Sequence, residues 1–204
     1  MNIEEKHMNH LTELVNIGAG YSINIMQKML NANICLLKPG KYSPMAHGNN
    51  LHLGIEEQEK IVIVDMPFTG TITGNVLLII KKSDDMKLAE RLVTSFTIKK
   101  LEYCKKDVLK EMGNILINAM VGKISSVSKL YFSFKIPDYY EEYQQNILKN
   151  YLPGFASSIL FNVKFEIKEL GIPCRFLLNI KEKSLNALVD CLEDYEARTD
   201  NLEK

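Results

Sequence analysis

From Glu4 to Leu30 apolar residues recur at helical spacing, with Leu11, Val15, Tyr21 and Ile25 on one broad side, which predicts an amphipathic helix. The segment "ANICLLK" reads as a strand leading into Pro39, and "KPGKYSPMAHGNN" as a loop, because Pro, Gly, Ser and Asn cluster there. "KIVIVDM" and "GTITGNVLLIIKK" read as two strands of a hairpin turned at "PFTG". "SDDMKLAERLVTSF" reads as a helix capped by Ser83. The order then returns. A helix from Leu101 to Val121 carries Leu109, Met112 and Leu116 on its apolar side, and a strand "KLYFSFKI" ends at Pro137. The polar stretch "PDYYEEYQQNILKNY" reads as a loop or short helix whose clustered tyrosines would also suit a protein contact. Strands "SILFNVKFEIKEL" and "CRFLLNIK" follow, then a helix from Lys183 to Ala197 and a frayed "RTDNLEK".

The returning order is an internal repeat. Asn9, Glu13, Asn16 and Pro39 meet Asp107, Glu111, Asn114 and Pro137 at a constant offset of 98, and Ile17 meets Ile115 in the same register. Further along, Leu77, Leu78, Ile80, Lys81 and Leu92 meet Leu177, Leu178, Ile180, Lys181 and Leu192 at an offset of 100. Matches kept in order along both halves point to duplication. The expected architecture is α/β, of the α+β kind: a mixed β-sheet packed against helices, with pseudo-two-fold symmetry. The chain is read as one domain, 1–204, made of two repeated halves, 1–98 and 99–204, because each half is too small to cover its sheet alone.

The two repeated helices pose the chemical question. Asn9, Glu13 and Asn16 fall within about 60° of one another on a helical wheel. Asp107, Glu111, Asn114 and Asn118 form a line about 16 Å long. A solvated face explains one such line, since every amphipathic helix has one. It explains less well why Glu-x-x-Asn recurs with its flanking residue and its distant proline. Asn is a mediocre helix former, so a repeated mid-helix Asn invites a side-chain task. Its amide offers donor and acceptor without charge and can hold a water aimed at an electrophile. A Glu one turn earlier can accept from a cationic partner. Such groups suit positioning rather than covalent catalysis.

Composition narrows the alternatives. Formal net charge is +0 and no long basic tract occurs, so nothing points to nucleic acid. Apolar runs are too short to span a bilayer, and the opening "MNIEEKHMN" lacks a signal-peptide pattern, so a cytoplasmic address and no membrane partner are expected. Cys35, Cys104, Cys174 and Cys191 form no CxxC pair and read as buried free thiols. His7, His10, His47 and His52 form no HExxH, and a carboxylate metal site from Glu13 and Glu111 would have no histidine in register. No GxxxxGK or GxSxG occurs, and Cys35 is not followed by the arginine-bearing loop of a cysteine phosphatase. "NIGAG" lies inside a helix rather than after a strand, so Gly18 and Gly20 read as places of close packing rather than a nucleotide loop.

With these residues in hand the chain resembles the CheC/CheX/FliY family of response-regulator phosphatases. That family's signature is Asp or Ser, three residues, Glu, two residues, Asn, then twenty-two residues and Pro. Asp107, Glu111, Asn114 and Pro137 match it in full, whereas Glu13, Asn16 and Pro39 match with Asn9 at the opening position. The resemblance covers essentially the whole chain and implies a CheC-like fold. It implies that a phosphorylated CheY-like receiver docks on the exposed helix faces, that Glu111 and Glu13 engage it, and that Asn114 and Asn16 orient the attacking water. Asp107, Asn9 and Asn118 would support the site, and Pro39 and Pro137 would set strand-to-loop geometry. No cofactor is expected on this chain, and magnesium is expected on the regulator. The resemblance also implies the receptor deamidase CheD as a partner. A monomer is expected. The alternative is a weakly catalytic or non-catalytic chemotaxis adaptor that binds CheY-phosphate or CheD.

Overall fold

The computed structural model describes residues 5–43, 55–93, 98–152 and 158–181, with isolated positions between 184 and 193. Helix α1 spans Glu5–Leu30, strand β1 Ile34–Ser43, β2 Lys60–Gly70 and β3 Gly74–Lys81. Helix α2 spans Asp85–Leu92 and α3 Ile98–Ser128. Strands β4 (Phe132–Phe134) and β5 (Asp138–Tyr143), helix α4 (Ile147–Tyr151) and strands β6 (Ser158–Ile167) and β7 (Ile172–Lys181) complete the order. The expected helix Lys183–Ala197 and the "RTDNLEK" tail lie largely or wholly outside the described residues, as do His47 and His52.

Among the described residues, seven strands form one sheet in the order β1-β6-β7-β3-β2-β4, with β5 also on β2. The α+β layering matches the expectation, but every ladder runs antiparallel rather than in mixed directions. Strands of both halves interleave. β1 of the first half pairs with β6 of the second, and β5 of the second pairs with β2 of the first. The two central strands, β3 and β7, meet with Leu77 directly opposite Leu177. Those two residues are also related by the sequence offset, so the strand order reads the same from either side of their pair. Neither half has a complete sheet of its own.

One sheet face and the helices α1, α2 and α3 enclose the main core, which includes Leu14, Val15, Met26, Val64, Phe68, Leu116, Phe161, Phe165 and Phe176. The opposite face is covered by a smaller cluster in which Ile147 and Leu152 lie over Ile61, Ile63, Leu77, Ile79, Leu160 and Leu177. Both faces of β3 are therefore buried, and its sequence "GNVLLIIK" is a continuous apolar run for that reason.

Several boundaries differ from the expectation. The hairpin turn is at Thr71–Thr73, not "PFTG", since Pro67 and Phe68 are still paired with Asn75 and Gly74. Ser83 is not a helix cap: it lies in a 3-10 turn, Lys82–Asp84, before α2. Helix α3 continues past Val121 to Ser128, because Ile124 keeps the buried stripe going and Gly122 faces open space. Residues 38–43, read as loop, belong to β1, whose pairing with β6 slips on either side of Lys38. A similar irregularity lies around Pro137, where the expected strand shortens to β4 and the stretch after the proline, read as loop or short helix, supplies β5, both paired to β2. Proline has no N–H to give to a ladder, and the pairing breaks beside both Pro39 and Pro137. The strand β5 was hidden in "DYYEEY" because an edge strand with one open face lacks a clean apolar alternation. Among the cysteines, Cys174 is buried, Cys104 and Cys191 are half-buried and Cys35 is exposed, against the expectation that all four are buried; all are free thiols.

Candidate functional site

Helices α1 and α3 lie against one another and run in opposite directions. The Ser22 hydroxyl on α1 donates to the Leu116 carbonyl on α3 at 2.8 Å. One turn away, a Cβ built on Gly18 would stand 2.6 Å from the Met120 carbonyl oxygen. Gly18 is thus the close-approach residue that the sequence suggests. Gly20 is not, as a Cβ there would meet nothing within 4 Å. On α3, Gly113 performs the corresponding task against the sheet, where a Cβ would come within 2.6 Å of Val64. The residue after it, Asn114, is thereby held close above the core.

The contact fixes where the candidate residues point. Gly18 and Ser22 lie about 120–180° round α1 from Glu13 and Asn16, and Leu116 and Met120 stand in the same relation to Glu111 and Asn114. Each Glu-x-x-Asn pair therefore occupies the flank of its helix turned away from the partner helix. Asn9, Glu13, Asp107 and Glu111 are exposed, and Asn16, Asn114 and Asn118 are half-buried at the edge of the same flanks. Given the helix rise, Asn16 and Asn114 stand about 12 Å apart along the axes, and Glu13 and Glu111 about 21 Å. The structure brings each pair together within itself and keeps the two pairs apart.

The second pair has internal order. Asn118 Nδ2 donates to Oδ1 of Asn114 at 2.8 Å and to the Asn114 main-chain carbonyl at 2.9 Å. Asn114 Nδ2 in turn faces Oε2 of Glu111 at a long 3.4 Å. Glu111, Asn114 and Asn118 thus form one hydrogen-bonded row along the helix. Asp107 lies one turn before it without joining it.

Two features of this region were not legible beforehand. Tyr21, assigned to the apolar side, is 47% exposed, and Lys123 of α3 lies 5.8 Å from its ring centroid, bridging the two helices. Ile115, next to Asn114, is 38% exposed and offers an apolar surface beside the polar row. Their exposure is not given by spacing, because which helix positions stay uncovered is decided by how the helices dock. Among the described residues no group of three or more His, Cys, Asp or Glu is arranged to hold a metal ion, and no helix is long and apolar enough to cross a membrane.

No protein-family model matches the chain. Solved structures do. FliY from Thermotoga maritima aligns with a TM-score of 0.67 at 15% identity, covering 97% of this chain and 99% of that one. The CheX of a CheX–CheY–BeF3–Mg complex from Borrelia burgdorferi aligns with a TM-score of 0.54 at 17% identity, covering 83% and 97%. A FliM–SpeE complex from H. pylori supplies a third likeness, with a TM-score of 0.61 at 8% identity, covering 96% and 98%. The chain has the fold of the CheC/CheX/FliY chemotaxis proteins, the fold that its signature residues imply, and shares it with FliM.

Proposed function

We propose that this chain, built on the CheC/CheX/FliY fold, is a phosphatase that hydrolyses the aspartyl phosphate of a CheY-like receiver domain. The observation that carries the reading is the recurrence of Glu-x-x-Asn on exposed flanks of two docked helices, with Glu111 and Asn114 hydrogen-bonded in one row. The CheX–CheY complex adds support, since a chain of this fold there joins a CheY.

In this reading Glu111 engages the receiver and orients it, while the Asn114 amide reaches the phosphorylated aspartate and aligns a water with the phosphorus. The work is positional. Phosphoryl transfer asks little covalent chemistry of the protein, and holding water and phosphoryl group in line removes much of the entropic part of the barrier. Magnesium belongs to the receiver and neutralises charge on the phosphoryl oxygens. Glu13 and Asn16 form the second copy on α1, with Asn9 in place of the charged Asp107. Duplication of one ancestral unit would account for the two copies. On the resemblance alone we also assign CheD as a partner, and we carry the cytoplasmic address and the monomeric state forward from the sequence reading.

The fold of the FliM–SpeE complex favours a second reading, a module that binds its partner without hydrolysis. Phosphate loss from an aspartyl-phosphorylated receiver with magnesium separates the two. The comparison is between intact protein, Glu111→Ala/Asn114→Ala, Glu13→Ala/Asn16→Ala and the fourfold variant. Acceleration abolished only in the fourfold variant is expected. No acceleration by intact protein that still binds the receiver would leave the binding module.

A further inference from the structure

Asn118 stands outside the Asp-x3-Glu-x2-Asn spacing, yet it makes the shortest polar contact in the row. Its geometry determines the orientation of the residue beside it. The Asn114 main-chain carbonyl can only accept, so the Asn118 group 2.9 Å from it must be the NH2 end. The same nitrogen faces the Asn114 side chain at 2.8 Å, so the Asn114 atom there must be Oδ1. Nδ2 of Asn114 is then left facing the Glu111 carboxylate at 3.4 Å. A flipped Asn114 would set NH2 against NH2 at one end and oxygen against carboxylate at the other. One fixed backbone carbonyl thus orients both amides. The arrangement uses one lone pair of Asn114 Oδ1 and leaves the other, with the second Nδ2 proton, for an incoming group.

The first copy cannot repeat this particular contact. At the offset of 98 the counterpart of Asn118 is Gly20, which has no side chain to set beside Asn16, whatever else Asn16 touches. Space is not the reason, since a Cβ at Gly20 meets nothing within 4 Å.

We infer that Asn118 is a positioning residue for Asn114, holding its amide in one orientation and so preorganising the Glu111/Asn114 site. The inference deepens the phosphatase reading and rests on it for its rate consequence, but the orientation of Asn114 is testable without any substrate. Preorganisation removes side-chain ordering from the catalytic encounter, so its loss lowers turnover more than affinity.

Two measurements test it. In the free protein, NMR order parameters of the Asn114 side-chain amide are expected to be high and to fall in Asn118→Ala, a change that favours the helix and leaves it folded. An amide equally mobile in both proteins overturns the positioning role whether or not the chain is a phosphatase. With Glu13→Ala/Asn16→Ala as background, Asn118→Ala is expected to lower kcat on a phosphorylated receiver about fivefold, the worth of one hydrogen bond, with KM within about twofold. Asn118→Asp, which cannot donate, is expected to be at least as slow. An unchanged kcat in Asn118→Ala, or a change confined to KM, overturns the inference. No hydrolysis by the intact protein overturns the phosphatase reading and the rate consequence with it, while the amide measurement still decides the orientation.

Discussion

The Ser22 hydroxyl donates to the Leu116 carbonyl across the α1–α3 contact at 2.8 Å, fully buried on the Ser22 side. This bond between the helices, beside the close approach at Gly18, helps to fix their relative rotation and hence which flank each Glu-x-x-Asn pair occupies. Ser22→Ala is expected to cost about 1 kcal/mol of stability, since the Leu116 carbonyl keeps its helical partner. Urea denaturation followed by circular dichroism measures it, and no loss at all would mean that the helices are held by apolar contact alone.

Two glycines within one turn of α1 should respond in opposite directions. Gly18→Ala drives a methyl into the Met120 carbonyl and the Ile124 side chain, at 2.6 and 2.7 Å, and is expected to destabilise by about 1–3 kcal/mol. Gly20→Ala meets open space and is expected to stabilise by up to about 1 kcal/mol through helix propensity. Melting temperatures of the two variants report the contrast. Equal shifts would contradict the close helix approach.

The diverging flanks predict independent sites. With Glu13→Ala/Asn16→Ala and Glu111→Ala/Asn114→Ala measured separately at saturating receiver, the two residual rates should sum to that of the intact protein, because the pairs share no contacts. Each double variant should melt within about 0.5 kcal/mol of the parent, since the changes lie on exposed or half-buried flanks. A sum well away from the intact rate would mean that the receivers interfere or that one encounter uses both pairs.

On the far side of the sheet, burial pushes the Asp65 carboxyl up to about 6, against a lowering bond from Asn75, with Asp138 opposite adding to the rise. The folded protein therefore holds this proton more tightly than the unfolded chain, whose value is near 3.8. The stabilising contribution is fully present below that value, declines as pH rises through the folded pKa, and is flat beyond it. Asp65→Asn removes the decline. It is expected to be more stable than the parent by about 1–3 kcal/mol at pH 7.5, with the difference vanishing near pH 4. A pH-independent difference would mean that the carboxyl is not the titrating group.

Asp85 is a buried carboxylate between the ammonium groups of Lys82 at 2.6 Å and Lys105 at 2.8 Å, and Lys82 also reaches Glu141 of β5. It joins α2, α3 and the edge of the sheet through one network. Asp85→Ala leaves Lys82 with Glu141 alone and takes the carboxylate from Lys105, and is expected to cost about 1–3 kcal/mol. Chemical denaturation checks the size, and amide exchange at the start of α3 should rise with it.

Much of this architecture was legible in one dimension. The periodicity of α1 reached Leu30, where Asn31 takes a positive φ of 45° and the Ala32 amide caps back onto Gln27. The repeated spacing singles out Glu13, Asn16, Glu111 and Asn114 in the sequence itself, because a helix converts spacing into direction. Edge elements resisted. The break at Pro137 and the strand "DYYEEY" depend on β2 as a neighbour, and a strand that lies half in solvent has no pattern of its own.

By itself, then, the sequence determined which residues share a helix flank and that the flank occurs twice, since local backbone geometry follows from local order. Only the tertiary structure decided that the two halves interleave in one sheet about Leu77 and Leu177, that the flanks diverge across the Ser22–Leu116 contact, and that Asn118 orients Asn114. The first two depend on pairing between residues about a hundred positions apart, and the third on rotamers that a spacing rule does not specify.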